Sequence, residues 1–236
     1  MRYGARHSGY YTSRYEFRGF TGLSGIFGFR KWQPWNPTLK VVLKKKKNPI
    51  AMYAYRTNAI KVPIKDEFVG YDLVKHDWVA PYGNGNTSDF LFKLEDTYVS
   101  NSDYETILSF QFSNPADGLH LFSTTESGGS NLRSAHNAPD SGYKNKLIQI
   151  RTQRPNKRLI TSYDDDSNFY FRVHCDGDNP DSCKYGKIYR SVEFDGTNIS
   201  FDYFINPSMG DTNVEFDPNR NLFGGLTTTL HEVSEP

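Results

Sequence analysis

Residues 188–205 read IYRSVEFDGTNISFDYFI, and this stretch decides the fold class. Apolar and polar side chains alternate on both sides of the Asp195-Gly196 pair, with the period of two that is typical of half-buried antiparallel strands. An Asp-Gly pair can adopt positive φ at both turn positions, which favours a type I′ turn between the two strands. The stretch therefore predicts a β-hairpin with one face turned toward a core.

The same alternation recurs elsewhere in the chain, between turn signals such as Asn114-Pro115 and Gly128-Gly129. The apolar positions of these runs are Phe90, Phe92 and Leu94, then Leu108, Phe110 and Phe112, and then Phe169, Phe171 and Val173. No window of 12 residues has the apolar spacing of an amphipathic helix. Many short strands with turns between them predict an all-β fold, namely an antiparallel, jelly-roll-like β-sandwich.

Charge and aromatic content set the start of the chain apart from the rest. Residues 1–50 contain eleven Lys and Arg and one acid, Glu16, so they carry a formal charge of +10 and residues 51–236 carry −9. Residues 1–37 also contain ten aromatic side chains interleaved with Gly and Ser, without a sustained period. Because such a segment cannot build its own core, we predict an irregular N-terminal arm over residues 1–37 and a sandwich domain over residues 38–236.

A cationic arm on an acidic body favours an anionic partner, namely nucleic acid, lipid headgroups or the body of another copy. Packing of the arm on its own body, or on a second copy or another protein, is favoured over nucleic acid because no RNA-recognition signature is present. The leading hypothesis is a non-catalytic binding or assembly protein. The alternatives are a carbohydrate-binding module or glycan-active enzyme, and a capsid-like subunit that coats nucleic acid.

Four aromatic residues are candidates for stacking on a sugar ring: Trp32, Trp35, Trp78 and Tyr82. The polar, turn-rich stretch over residues 123–143 is the loop most expected to contact a ligand, since loops of this length are usually functional or disordered.

The loop at residues 175–183 reads CDGDNPDSC. Cys175 and Cys183 either form a disulfide that closes this loop or stay free thiols, and the sequence leaves both open. Asp176, Asp178 and Asp181 are candidate ligands of Ca²⁺, although the loop lacks the glycine and closing glutamate of a helix–loop–helix calcium site. A solvated acidic turn is favoured over the metal site, and no other cofactor is predicted.

The sequence predicts no catalytic residue. Glu193 and Asp195 are two apart on a strand and resemble the Glu-x-Asp-x-x-Glu motif of laminarinase-like glycosidases, but Asn198 replaces the third acid. A polar outer face shared with Lys187 is the favoured interpretation of the pair. His76-Asp77 has the residue types of an oriented general base, yet no motif supplies a nucleophile.

No run of 18 apolar residues is present, so no membrane span is predicted. No signal-peptide core is present in residues 1–34, so either the chain stays in the cytosol or a signal was removed before Met1, and the initiating Met1 favours the cytosol. A disulfide between the two cysteines would instead indicate an oxidising compartment.

Overall fold

The computed structural model describes residues 2–16, 41–123, 129–163, 167–177, 179–226 and 230–236. In chain order the strands of this part are β1 (Arg2–Ala5), β2 (Ser13–Glu16), β3 (Ile50–Lys61), β4 (Val69–Asp72), β5 (Asp77–Trp78), β6 (Phe90–Ser100), β7 (Asp103–Gln111), β8 (Gly118–Phe122), β9 (Lys146–Gln153), β10 (Ile160–Thr161), β11 (Asn168–Val173), β12 (Lys184–Phe194), β13 (Asn198–Ile205) and β14 (Phe216–Asn221). The described helical structure is one 3₁₀ turn, Pro180–Ser182. Nothing in these ranges forms a helix long and apolar enough to cross a membrane.

Two six-stranded sheets form the body. Sheet I has the order β10-β9-β7-β6-β4-β5, and sheet II has the order β14-β3-β13-β12-β11-β8. The pairings are antiparallel except for β14, which runs parallel to β3. The chain crosses between the sheets after β3, β7, β8 and β10. The predicted all-β sandwich is confirmed.

Aromatic side chains fill the space between the sheets. The apolar positions predicted from the period of two are buried there, including every one of those in β6, β11 and β13. Phe90 of sheet I meets Phe171 of sheet II edge to face, with ring centroids 5.0 Å apart. Phe92 and Phe201 approach to 5.4 Å across the same interface. Large rings therefore build a core from a chain that is only 36% hydrophobic.

The hairpin between β12 and β13 forms as predicted, but its turn is different. Neither Asp195 nor Gly196 has positive φ, so the type I′ prediction is wrong. The Asp195 carboxylate instead accepts hydrogen bonds from the backbone N–H groups of Thr197 and Asn198, both at 2.7 Å. Gly196 is needed for close approach, because a Cβ there would lie 2.7 Å from Asp96 Oδ2.

A bulge in β12 interrupts the predicted alternation. From Tyr189 to Glu193 the strand β12 advances four residues, while its partner β13 advances only two, from Asp202 to Ser200. Arg190, inside this bulge, has a φ of +68°. Arg190 is consequently exposed, whereas the period of two places it inward with Ile188 and Val192. Its N–H donates to Asn168 Oδ1 at 3.0 Å, which holds the bulge against β11.

Sheet II is buried on its outer face as well as its inner one. A second apolar cluster there combines strand residues such as Tyr185 and Phe204 with Ala138 and Val233 from chain segments that lie over the sheet. Tyr11 and Ser13 are buried as part of this cover. The described part of the predicted arm also contains two short paired strands, β1 and β2.

Lys187 lies fully buried under this cover, so its predicted place on a polar outer face is wrong. Its Nζ donates to Tyr189 Oη at 2.8 Å and to Ser134 Oγ at 3.3 Å. The ammonium group also lies 4.8 Å from the Phe204 ring centroid. Burial lowers the pKa of Lys187 well below its ordinary value, and the charge of Glu215 opposes this only in part.

Replacing Lys187 with Met is expected to change the pH dependence of stability. Between its lowered folded pKa and about 10.4, Lys187 binds more protons in the unfolded chain, so its contribution to the free energy of unfolding rises with pH. K187M should therefore gain stability relative to the natural chain at about pH 7, and this advantage should be smaller at about pH 9.5. Urea denaturation at both pH values measures this, with the exposed K61M as control. An advantage that does not change with pH would contradict the assignment.

Candidate functional site

The structure separates the four aromatic residues predicted to bind sugars. Trp78 is only 6% exposed and packs edge to face on Tyr71, so it offers no ring face to a ligand and its prediction is wrong. Tyr82 is 45% exposed, on the loop between β5 and β6. Trp32 and Trp35 lie outside the described residues.

Asp72 fixes the loop that carries Tyr82. Its buried carboxylate accepts hydrogen bonds of 2.8–3.1 Å from the backbone N–H groups of Val74, Lys75, Asn86 and Thr87. Burial alone would raise the pKa of Asp72, but these four donors hold it below its ordinary value. The loop therefore closes on a carboxylate at its base.

Asp72→Asn should destabilise the protein by about 2 kcal/mol, because the amide retains one acceptor oxygen and leaves buried N–H groups unpaired. The loss should shrink as the pH falls through the lowered pKa of Asp72, where the natural carboxylate is itself protonated. Urea denaturation measures both effects. Asp66→Asn is the control, since Asp66 is exposed and its φ of +66° suits Asn; equal losses in the two variants would contradict the role of Asp72.

A disulfide joins Cys175 to Cys183 and closes the acidic loop. Inside the loop, the N–H of Asp176 donates to Ser182 Oγ at 2.7 Å. Asp176 and Asp181 are exposed, and Asp178 lies outside the described residues. No group of three His, Cys, Asp or Glu side chains within the described ranges is placed to hold a metal ion, and Ca²⁺ binding stays a prediction.

The neighbours His76 and Asp77 do not act together. The His76 ring stacks on Tyr55 with centroids 4.6 Å apart. The Asp77 carboxylate accepts hydrogen bonds from the backbone N–H groups of Trp78 and Asn84, each at 2.8 Å. The pair is therefore part of the β5 turn and the packing around it.

A different histidine, His174, meets a carboxylate. His174 Nε2 lies 2.5 Å from Oδ1 of the buried Asp89, whose Oδ2 accepts from the N–H of Leu73 at 2.7 Å. The hydrogen bond to Asp89 raises the pKa of His174 against the opposing effect of burial. The contact ties the start of β6 in sheet I to the end of β11 in sheet II. Sequence reasoning missed it because the partners are 85 residues apart.

Asp89→Asn should lower the pKa of His174. The charge-assisted pair stabilises the fold below the ordinary histidine pKa of about 6.5, and this contribution is lost as the pH rises through the raised folded value. The stability cost of D89N should therefore be larger at low pH than at high pH. Histidine NMR titration and denaturation at several pH values measure both effects, with Asp181→Asn at an exposed site as control. An unchanged pKa of His174 in D89N would refute the pairing.

Glu193 and Asp195 do not form a catalytic pair of free carboxylates. Asp195 is engaged by its own turn, and those hydrogen bonds hold its pKa below the ordinary value despite partial burial. Glu193 is exposed on the outer face of sheet II, near the Arg56–Asp202 ion pair. Its polar, exposed setting agrees with the interpretation favoured from sequence.

Two short segments of the chain, residues 6–14 and residues 44–47, carry the cations of a basic surface. The N–H of Tyr11 donates to the Lys44 carbonyl and the N–H of Lys46 donates to the Gly9 carbonyl, both at 2.8 Å. The side chains that define the basic surface are exposed: Arg6, Arg14, Lys45, Lys46 and Lys47. None of the five forms an ion pair with an acidic side chain that the structure describes, a set that does not include Glu16.

Buried anchors hold the basic surface on the body. Tyr11 Oη donates to Glu215 Oε1 at 2.7 Å, and the N–H of Lys47 donates to the same oxygen at 2.9 Å. Burial and the neighbouring Glu215 carboxylate raise the pKa of Tyr11 far above its ordinary value, so it stays a neutral donor. Ser13 Oγ donates to the Val42 carbonyl at 2.7 Å. The five cations therefore project from a backbone fixed by these contacts.

A groove of about 560 Å³ opens at the edge of the sandwich where β8 of sheet II faces β9 of sheet I. Leu119, Leu147 and Phe169 form apolar walls. Gln149 lies between them at 2% exposure, and neither its Oε1 nor its Nε2 has a hydrogen-bond partner among the described residues. No local sequence pattern marks this site, because Gln149 is an ordinary polar residue within a strand.

Part of the predicted ligand loop over residues 123–143 packs on the body. Ser130, Leu132 and Ser134 are buried, and the N–H of Ala135 donates to Tyr170 Oη at 2.7 Å. Residues 124–128 lie outside the described part. The groove receives Gly142 from the end of this region and Lys144 from just beyond it.

Comparisons with protein-family models, with curated proteins and with solved structures found no match to this chain.

Proposed function

We propose that this chain is a non-catalytic binding protein whose basic surface engages an acidic protein surface, first of all the body of a second copy. The observation that carries the proposal is the set of five exposed cations, unpaired within the described chain, on a protein whose residues 51–236 carry a formal charge of −9. Opposite charges at separate places on identical chains attract in a head-to-tail manner.

The fixed backbone under the cations supports binding. The contacts of Tyr11 and Ser13 order this segment before any partner arrives, so less conformational entropy is lost on association than with a free arm. Charge complementarity of this kind mainly increases the association rate and depends strongly on salt.

A protein partner is favoured over single-stranded nucleic acid. Proteins that bind single strands combine cations with exposed aromatic rings on which the bases stack. Beside the basic surface, Tyr11 is only 4% exposed and Lys46 lies over its ring. The ring at the centre of this segment is thus used in packing.

Charge reversal tests the proposal. The natural chain should self-associate at low salt and dissociate as salt is added, and the triple variant K45E/K46E/K47E should weaken association at least about tenfold. The matched control K61E/K157E/R158E changes the same charge at exposed sites elsewhere and should associate more strongly than the first variant. Sedimentation velocity over a range of concentrations measures all three proteins.

Two outcomes would overturn the proposal. The first is a natural chain that stays monomeric at high concentration and low salt. The second is salt-dependent binding of a DNA or RNA oligonucleotide that the K45E/K46E/K47E variant loses without any change in self-association, which would favour the capsid-like hypothesis.

A second candidate function is a carbohydrate-binding module. The groove with its buried, unpartnered Gln149 is the specific observation that favours it.

A further inference from the structure

We propose that the groove between β8 and β9 is a saccharide-binding site and that Gln149 is its main recognition group. This site shares no residue with the basic surface, so its test is independent of the self-association test. The proposal rests on the chemistry of Gln149, the shape of its surroundings and the groups at the rim.

Gln149 is an unusual residue for its position. In β9 it lies opposite Leu108 of β7, and its inward-facing neighbour Leu147 packs against the core between the sheets. Its carboxamide has one acceptor oxygen and two N–H donors, and burial without partners costs stability. Buried polar groups in native proteins nearly always find a partner in the protein, in ordered water or in a ligand, so a buried carboxamide that lines a groove can bind a ligand that displaces water from it.

The walls of the groove are largely apolar. Leu119 and Phe169 come from sheet II, and Leu147 comes from sheet I. The volume of about 560 Å³ is within the usual range of ligand sites, roughly 300–1,000 Å³. A flat molecule with apolar faces fits between such walls.

Donors at the rim complete the set. Lys144 and Lys146 both line the groove. His120 Nδ1 lies 3.0 Å from the Ser141 carbonyl oxygen, so Nδ1 carries the proton and donates to it. Gly142 permits this approach, because it has a φ of +84° and a Cβ there would lie 2.9 Å from the His120 ring. The His120 ring packs beside Tyr143 and Tyr170 on the outer face of sheet II, so this contact fixes the chain at the rim without directing the ring into the groove.

A sugar can bind the Gln149 carboxamide, the apolar walls and the lysines at the rim at the same time. Each sugar hydroxyl both donates and accepts, which matches the paired donor and acceptor of a carboxamide, and the C–H faces of the ring suit apolar walls. A hydrocarbon would leave Gln149 unpaired, at a cost in desolvation. A simple anion would use the lysines but could not donate to Gln149 Oε1.

Gln149→Leu separates binding from folding. Leucine replaces the unpartnered amide with an apolar group of similar size, so the free protein should melt at the same temperature or higher. Saccharide affinity should fall at least about tenfold, since the hydrogen bonds to the carboxamide are lost. Gln111→Leu, in β7 and outside the groove residues, is the matched control and should keep its affinity.

The experiment uses the full chain and ¹H–¹⁵N NMR titration with soluble hexasaccharides of β-1,4-glucan, β-1,3-glucan, xylan and polygalacturonate. Saturable shifts of the backbone N–H signals of residues 119–121 and 146–149 and of the Gln149 side chain, lost in Q149L and kept in Q111L, would support the site. Binding that Q149L does not weaken, or no saturable shift with any of the four sugars, would overturn it; a higher melting temperature of Q149L in the second case would show that Gln149 is only a buried polar defect.

Discussion

Sheet II must be buried on both of its faces, and the rest of the structure depends on this constraint. Its inner face packs against sheet I through aromatic rings, as the hydrophobic effect requires of a strand pattern with a period of two. Its outer face carries Tyr185, Phe204 and the buried Lys187, which water would solvate if nothing covered them. Residues 9–13, 130–138 and 233–236 supply the cover, so segments distant in sequence fold together.

The cover also explains why the basic surface lies where it does. Tyr11 and Ser13 contact the body with their buried groups, and the backbone between them leaves the long cationic side chains in solvent. Lysine and arginine are costly to bury without partners, so a segment that packs with its tyrosine and serine must turn its cations outward. Packing and the exposure of the cations are thus two results of one arrangement, and the segment that we propose for recognition is also one that packs on the body.

The period of two was enough to predict the sandwich and the inner core, because alternate residues of a strand necessarily face opposite sides. It could not predict the burial of Lys187, because periodicity shows which face of the sheet a residue is on but not whether another chain segment covers that face. It failed at Arg190, where a bulge with positive φ changes the phase of the strand. His174 and Asp89 meet only through the packing of the two sheets, so no local sequence pattern predicts their contact. Gln149 is a candidate binding residue only because of its buried place beside the groove, which the sequence does not indicate either.

The anchoring of residues 9–13 restricts how two copies of this protein can meet. If this segment left its own body to dock on a neighbour, it would open the outer face of sheet II and remove the Tyr11 donor from Glu215. Such an exchange is balanced only when it is reciprocal, with each copy filling the place that the other vacates. One-way donation would leave one chain with an uncovered apolar sheet face, so self-association of the kind proposed would need contact between intact molecules, with residues 9–13 kept on their own body.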